Sequence, residues 1–278
     1  MGINSLTLSE TEINRLKELI LQKHLKNVPL TNKYELLRVK DQNINLILYS
    51  TRKLVFNLSD ETTNILNTIL KKEEGFDYLL GSDETGKGEW YGPLVVVVTA
   101  LTPEEIIKLR ILGVKDSKTM KTPKIIETAK KIMEKIPYQS LILKPTTYNR
   151  LYLEFENEGK SLNDLMAWSH SRIINQLLER LRFKKARVVI DRFDQKKTEN
   201  RLGILDERIK VIQKPRAETE TPVAAASIIA KYLFEKEIQE LNRKYEIDLK
   251  NMNPDEINPE IISDVAKLHF KNVKNLIQ

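Results

Sequence analysis

Asp83 and Glu84 stand side by side at the end of a short apolar run that begins near Tyr78. Two glycines flanking a lysine, Gly86-Lys87-Gly88, follow at once, then Trp90, Tyr91, a Gly92-Pro93 turn and a second apolar run, Leu94 to Val98. The pattern predicts strand, tight loop, strand. Two carboxylates this close repel each other unless a cation or a proton lies between them, and hard oxygen ligands suit magnesium or manganese better than zinc. Adjacent side chains on a regular strand point to opposite faces, so for Asp83 and Glu84 to serve one centre the strand must end or twist there, which Gly86 and Gly88 allow. An isolated Asp-Glu pair is more often a solvated loop; position and partners favour the sharper reading. Asp191 ends another apolar run, Val188-Val189-Ile190, and Glu218 lies in Arg216-Ala217-Glu218-Thr219, just before an alanine-rich helix. Carboxyl ends of neighbouring strands are where open α/β sheets build sites. Four carboxylates gathered there are intolerable as bare charges but form a holder for one or two divalent cations about 3.5–4 Å apart, suited to in-line displacement at phosphorus.

The elements that must position these acids follow from the chain pattern. Ser9 and Glu12 form a capping-box signature for a helix carrying Ile13, Leu16, Leu19 and Ile20. Three short strands, Tyr34–Val39, Ile44–Tyr49 and Lys53–Asn57, precede a helix from Asp60 to about Leu70. The charged stretch 71–75 is a boundary, giving a small α+β unit over residues 1–72 and a second domain over 76–278. In the second, strands at 78–83, 93–100, Tyr138–Lys144, Ala186–Asp191 and Ile209–Gln213 interleave with helices at Pro103–Leu112, Pro123–Lys135, Leu162–Leu181 and from Pro222 onward, with a short aromatic stretch, Tyr148–Phe155, between. Interleaving of this kind predicts a mixed α/β layer fold.

The chain has 278 residues, no cysteine and a formal charge of +7. Disulfides and thiolate metal sites are excluded. No apolar run approaches the length of a membrane span, and the first residues lack a secretion-signal pattern, so a cytoplasmic protein with no membrane partner is expected. The modest basic excess, spread along the chain, is compatible with a polyanionic partner such as nucleic acid. A monomer is the default expectation.

Several ordered motifs together carry a resemblance. Gly81-Ser82-Asp83-Glu84-Thr85-Gly86-Lys87-Gly88 with Tyr91-Gly92-Pro93, then Val114-Lys115-Asp116-Ser117-Lys118, Ile190-Asp191-Arg192-Phe193, and Ala217-Glu218 with Ala224 to Lys231 resemble the type 2 ribonucleases H. The N-terminal unit with Leu48 to Val55, the stretch Tyr148-Asn149-Arg150-Leu151-Tyr152 with Leu162 to Trp168, and the ending Val265 to Asn272 resemble ribonuclease HIII in particular. The resemblance implies a ribonuclease H-like α/β catalytic domain and a TATA-binding-protein-like N-terminal domain that grips the duplex. It implies an endonuclease that hydrolyses the RNA strand of RNA/DNA hybrids with two Mg2+ or Mn2+ ions, leaving 5′-phosphate and 3′-hydroxyl ends. The matching acids are Asp83, Glu84, Asp191 and Glu218, with Glu220 a rival for the fourth place. Gly86, Lys87 and Gly88 match the loop that reads the ribose 2′-hydroxyl; the basic middle residue is nearer to ribonuclease HII and leaves open cleavage at a single ribonucleotide embedded in DNA. Ser117, Lys118 and Tyr148 are further candidate substrate contacts. The alternatives are a hybrid- or duplex-binding module without catalysis, and a two-metal nuclease with a different substrate.

Overall fold

The computed structural model describes residues 3–70, 75–114, 120–191 and 206–277, and of Asp191 and Ile277 the backbone alone. The chain forms two compact units, Met1–Gly75 with Thr102–Thr119, and Phe76–Leu101 with Met120–Gln278. Among the described residues no helix is long and apolar enough to cross a membrane.

The first unit is built on an antiparallel sheet of β1 (Ile3–Thr7), β2 (Glu35–Asp41), β3 (Ile44–Tyr49) and β4 (Lys53–Asn57), in the order β1-β4-β3-β2. Alternation gives it one buried face: Leu46 and Leu48 of β3 and Leu54 and Phe56 of β4 are buried, and the residues between them are not. That face shares a core with α1 (Glu10–Gln22) and α2 (Asp60–Ile69), through Ile13, Leu16, Ile65 and Leu66. α1 starts at the expected capping box, Ser9 accepting from the Glu12 N–H and Glu12 from the Ser9 N–H. β1 is an addition to the expected α-β-β-β-α order. It buries a single side chain, Leu6, so its periodicity is weak and its pairing with the distant β4 defines it.

The helix α3 (Pro103–Ile111), expected in the second domain, packs in the first unit, where Ile107 and Ile111 enter the core. Its apolar stripe does not say which core receives it; a buried ion pair does. Arg110 Nη1 donates to Glu12 Oε1 at 2.7 Å and Nη2 to Glu12 Oε2 at 3.0 Å, with both side chains nearly inaccessible.

The second unit holds a five-stranded sheet of β5 (Tyr78–Thr85), β6 (Leu94–Leu101), β7 (Tyr138–Leu143), β8 (Ala186–Asp191) and β9 (Ile209–Lys214), in the order β7-β6-β5-β8-β9. β5, β6 and β7 run antiparallel; β5, β8 and β9 run parallel. All residues of β6 are buried, as its unbroken apolar run demands of a strand covered on both faces. The connections carry α4 (Thr122–Lys135), α5 (Pro145–Asn157), α6 (Leu162–Arg180) and α7 (Thr221–Tyr245). On one face Leu80, Val96, Val98, Val188 and Ile190 share a core with Ile173, Ile174 and Leu177 of α6. Against the other lies the start of α7, whose small side chains allow close approach. A Cβ on Gly81 would come within 2.2 Å of the Val223 backbone nitrogen, so glycine is required there.

Removing one partner of a buried ion pair leaves the other uncompensated. Arg110→Ala is therefore expected to destabilise the protein by about 3 kcal/mol in urea unfolding; an unchanged midpoint would show that the pair does not hold α3.

Candidate active site

β5 runs through both acids to Thr85 rather than stopping before them. Alternation then sends the two carboxylates to different helices. Asp83 lies beside Ser227 of α7, whose hydroxyl acts against the rise of its carboxyl. Glu84 Oε2 lies 3.3 Å from Nε2 of His170 on α6, and its Oε1 lies 3.9 Å from the Lys87 ammonium. They still act on each other. Burial pushes Asp83 up to about 6, and the Glu84 charge adds to the rise. Burial also acts to raise Glu84, but the nearby His170 ring, with Lys87, outweighs it and holds Glu84 below the usual carboxylate value.

His170 is a site residue that the sequence pattern hides. It sits with Met166, Ile173 and Leu177 at helical spacing on the buried stripe of α6, where a leucine would pass unremarked. It is fully buried, and its Nδ1 is 2.7 Å from the Ser82 hydroxyl, which donates to the Val97 carbonyl at 3.0 Å. The ring thus links the backbone of β6, through Ser82, to the Glu84 carboxylate. A histidine in a run of helical core positions, opposite a strand ending in acids, is the signal that could have found it.

The other predicted acids fall as follows. Ser82 of β5 pairs with Ile190 of β8, a register that carries the backbones of Asp83 and Asp191 one step further to the same level; the side chain of Asp191 is outside the described residues. Glu218 is half-buried in the short turn Ala217–Thr219 between β9 and α7. Ala217 anchors that turn by packing with Val189 of β8 and Val223 of α7. Its rival Glu220 forms an ion pair with Lys214. Among the described residues no group of three or more metal-ligating side chains is gathered.

In the loop after β5, Gly86 has φ +90°, and a Cβ there would lie 2.2 Å from the Pro93 carbonyl oxygen; it is the loop's bending point. Gly88 has ordinary φ, is exposed and faces open space, so no packing demand explains the missing side chain. Lys87 is half-buried beside Glu84. Ser117 and Lys118 lie outside the described residues. Tyr148 is not at the surface. It is 1% exposed, in the core between α5 and α6, its ring against Tyr152 and His269. A ring so covered cannot stack on a sugar or base. The aromatic stretch Tyr148–Phe155 is part of α5, with Tyr148, Tyr152 and Phe155 at helical spacing.

Comparison with known proteins gives a consistent result. A family profile described as Ribonuclease HII matches residues 80–273. Ribonuclease HIII of Chlamydia caviae is 31% identical over 268 residues, covering 87% of this chain and 87% of the relative. Ribonuclease HIII of Phytoplasma mali is 31% identical over 285 residues, 97% of this chain and 96% of the relative. The crystal structure of Bst-RNase HIII in complex with Mn2+ shares the fold, with TM-score 0.62 at 24% identity over 100% of this chain and 99% of that one. Aquifex aeolicus RNase H3 gives TM-score 0.57 at 22% identity over 96% and 100%. With a profile over most of its length and relatives matched nearly end to end, the chain belongs to the ribonuclease HII family and is a ribonuclease H, similar along its whole length to ribonucleases HIII.

Proposed function

We infer that the protein hydrolyses the RNA strand of RNA/DNA hybrids, with Asp83, Glu84, Asp191 and Glu218 holding two divalent cations. The observation that carries this is the half-buried Asp83-Glu84 pair on β5, in which Asp83 is raised by desolvation and by its neighbour's charge. The donor set fits the cations. It is all hard oxygen, there is no thiolate in the chain, and the mutual repulsion of the two acids is what a bound Mg2+ or Mn2+ would relieve. When bound, the pair of cations supplies charge stabilisation at the scissile phosphate and a water acidic enough to attack it. The chain's own groups prepare that chemistry. Ser227 lies beside Asp83 and His170 beside Glu84, from opposite faces of β5. Lys87 brings positive charge beside Glu84 and is suited to a backbone phosphate. The open backbone at Gly88 is suited to the ribose, whose 2′-hydroxyl distinguishes RNA from DNA. Glu218, matched by the motif, is taken as the fourth acid, with Glu220 its rival. Attack at phosphorus would leave 5′-phosphate and 3′-hydroxyl ends. Ser117 and Lys118 remain candidate phosphate contacts, and the first unit, with a sheet face free of its helices, is the candidate grip on the duplex.

Cleavage of a labelled hybrid should exceed that of duplex DNA and duplex RNA in Mg2+ and in Mn2+; equal cleavage of duplex RNA would refute the substrate class. A hybrid with one embedded ribonucleotide in the same panel reads the role of Lys87. Asp83→Asn and Asp191→Asn should each lower hybrid cleavage at least about a thousandfold while hybrid binding stays within a few-fold, and full activity of Asp191→Asn would remove it from the site. His170→Ala should weaken Mn2+ binding about 10–100-fold, read by titration without nucleic acid.

Stability should follow the sign of the Asp83 shift. Below the unfolded value of 3.8 the carboxyl is protonated in both states and its stability contribution is fully present; between there and about 6 only the folded state keeps the proton, so stability falls as pH rises and levels off above about 6. In metal-free buffer near pH 8, Asp83→Asn is expected to be more stable than the parent by up to about 3 kcal/mol, the gap closing near pH 4. A parent as stable as the variant at pH 8 would contradict the burial cost.

A further inference from the structure

Lys267 has none of its surface exposed and takes no part in the chemistry above. Its Nζ donates to the carbonyls of Glu89 at 3.0 Å and Tyr91 at 2.9 Å, and its backbone N–H donates to the carbonyl of Trp90 at 2.7 Å. Next to these, the Gly92 N–H donates to the Val265 carbonyl at 2.8 Å, and Tyr91 and Ala266 form an antiparallel bridge. Every residue from Glu89 to Gly92 is thus held by Val265, Ala266 or Lys267. Burial pushes Lys267 down to about 7, and the neutral and the charged amine both have N–H donors for the two carbonyls.

The strap is itself anchored. Asn149 of α5 donates to the carbonyls of Ala266 at 2.9 Å and Ser263 at 3.3 Å, and accepts from the Leu268 N–H at 2.9 Å. The Tyr148 ring lies 5.7 Å from Lys267 Nζ, and His269 stacks on Tyr152 at 4.5 Å. An apolar chain would fill the same space without the cost of a buried polar group. What the lysine adds is a pair of hydrogen bonds to two loop carbonyls that have no strand partner to hold them.

We propose that Lys267 is a positioning residue for the loop from Gly86 to Gly92: by holding the Glu89 and Tyr91 carbonyls it sets the path on which the Gly88 backbone meets the ribose. This deepens the proposed function and rests on it, because the ligand of the loop is the RNA strand of a hybrid. Asn149, next to the candidate contact Tyr148 in the same motif, then acts through the strap.

Lys267→Met and Asn149→Ala test this in three measurements against the parent. With the hybrid, KM should rise at least about tenfold in Lys267→Met, and less in Asn149→Ala, with kcat changed far less. Mn2+ titration without nucleic acid should give the parent's affinity, since the acids are held from α6 and α7. In a Trp168→Phe background, where Trp90 is the single tryptophan left of two, its emission should shift in both variants. Unchanged KM in a Lys267→Met protein that unfolds cooperatively overturns the proposal, as does Mn2+ affinity that falls in step with activity. If Lys267→Met does not fold, the half-buried Asn149→Ala decides by the same criteria. A parent that leaves the hybrid uncut defeats the proposed function and not the strap, which Trp90 emission then tests alone.

Discussion

Holding two adjacent carboxylates partly out of water on one strand is the constraint on which the second unit turns. Asp83 and Glu84 sit, half-buried, on β5, the middle strand of its sheet. The alternation of a strand divides them between two helices, and each carboxylate lies beside one polar side chain there, Ser227 or His170. Those contacts offset part of the desolvation and leave Asp83 still raised. A site in this condition makes the fold less stable than a neutral one would, a trade common where function needs concentrated charge.

Around that pair the backbone is placed with little tolerance. Gly81 lets α7 lie against β5 at a separation no side chain permits, and Gly86 turns the chain where a Cβ would strike Pro93. Side chains far apart in sequence converge on the turn that follows: Asn149 holds the segment around Ala266, and that segment holds Glu89 to Gly92. Rigidity in an exposed loop therefore comes from a buried layer beneath it rather than from the loop's own sequence.

Features that repeat along the chain are legible from residues alone. The apolar runs of β5, β6 and β8, the Ser9-Glu12 cap and the proline at the start of α7 announce their elements because each is a local pattern. The acids at strand ends are legible for the same reason. What escapes is decided by partners distant in sequence. β1 buries only Leu6 and exists through β4. His170 and Lys267 resemble ordinary residues of a helix and of the closing stretch until the groups facing them are known. Tyr148 lies in a motif suggestive of substrate contact, yet the packing of α5 turns it into the core. The assignment of α3 to one core or the other depends on Glu12, nearly a hundred positions earlier.

That last pairing bears on how such a protein could be rearranged. The first unit is assembled from two separate stretches, with strands β5 and β6 of the other unit between them in the chain. A recombination event that transferred only the leading stretch would carry Glu12 without its guanidinium and leave the sites of Ile107 and Ile111 vacant, while the donor would keep a helix stripped of its cover. Such a module is inherited whole or rebuilt at the seam, not shuffled as a contiguous cassette.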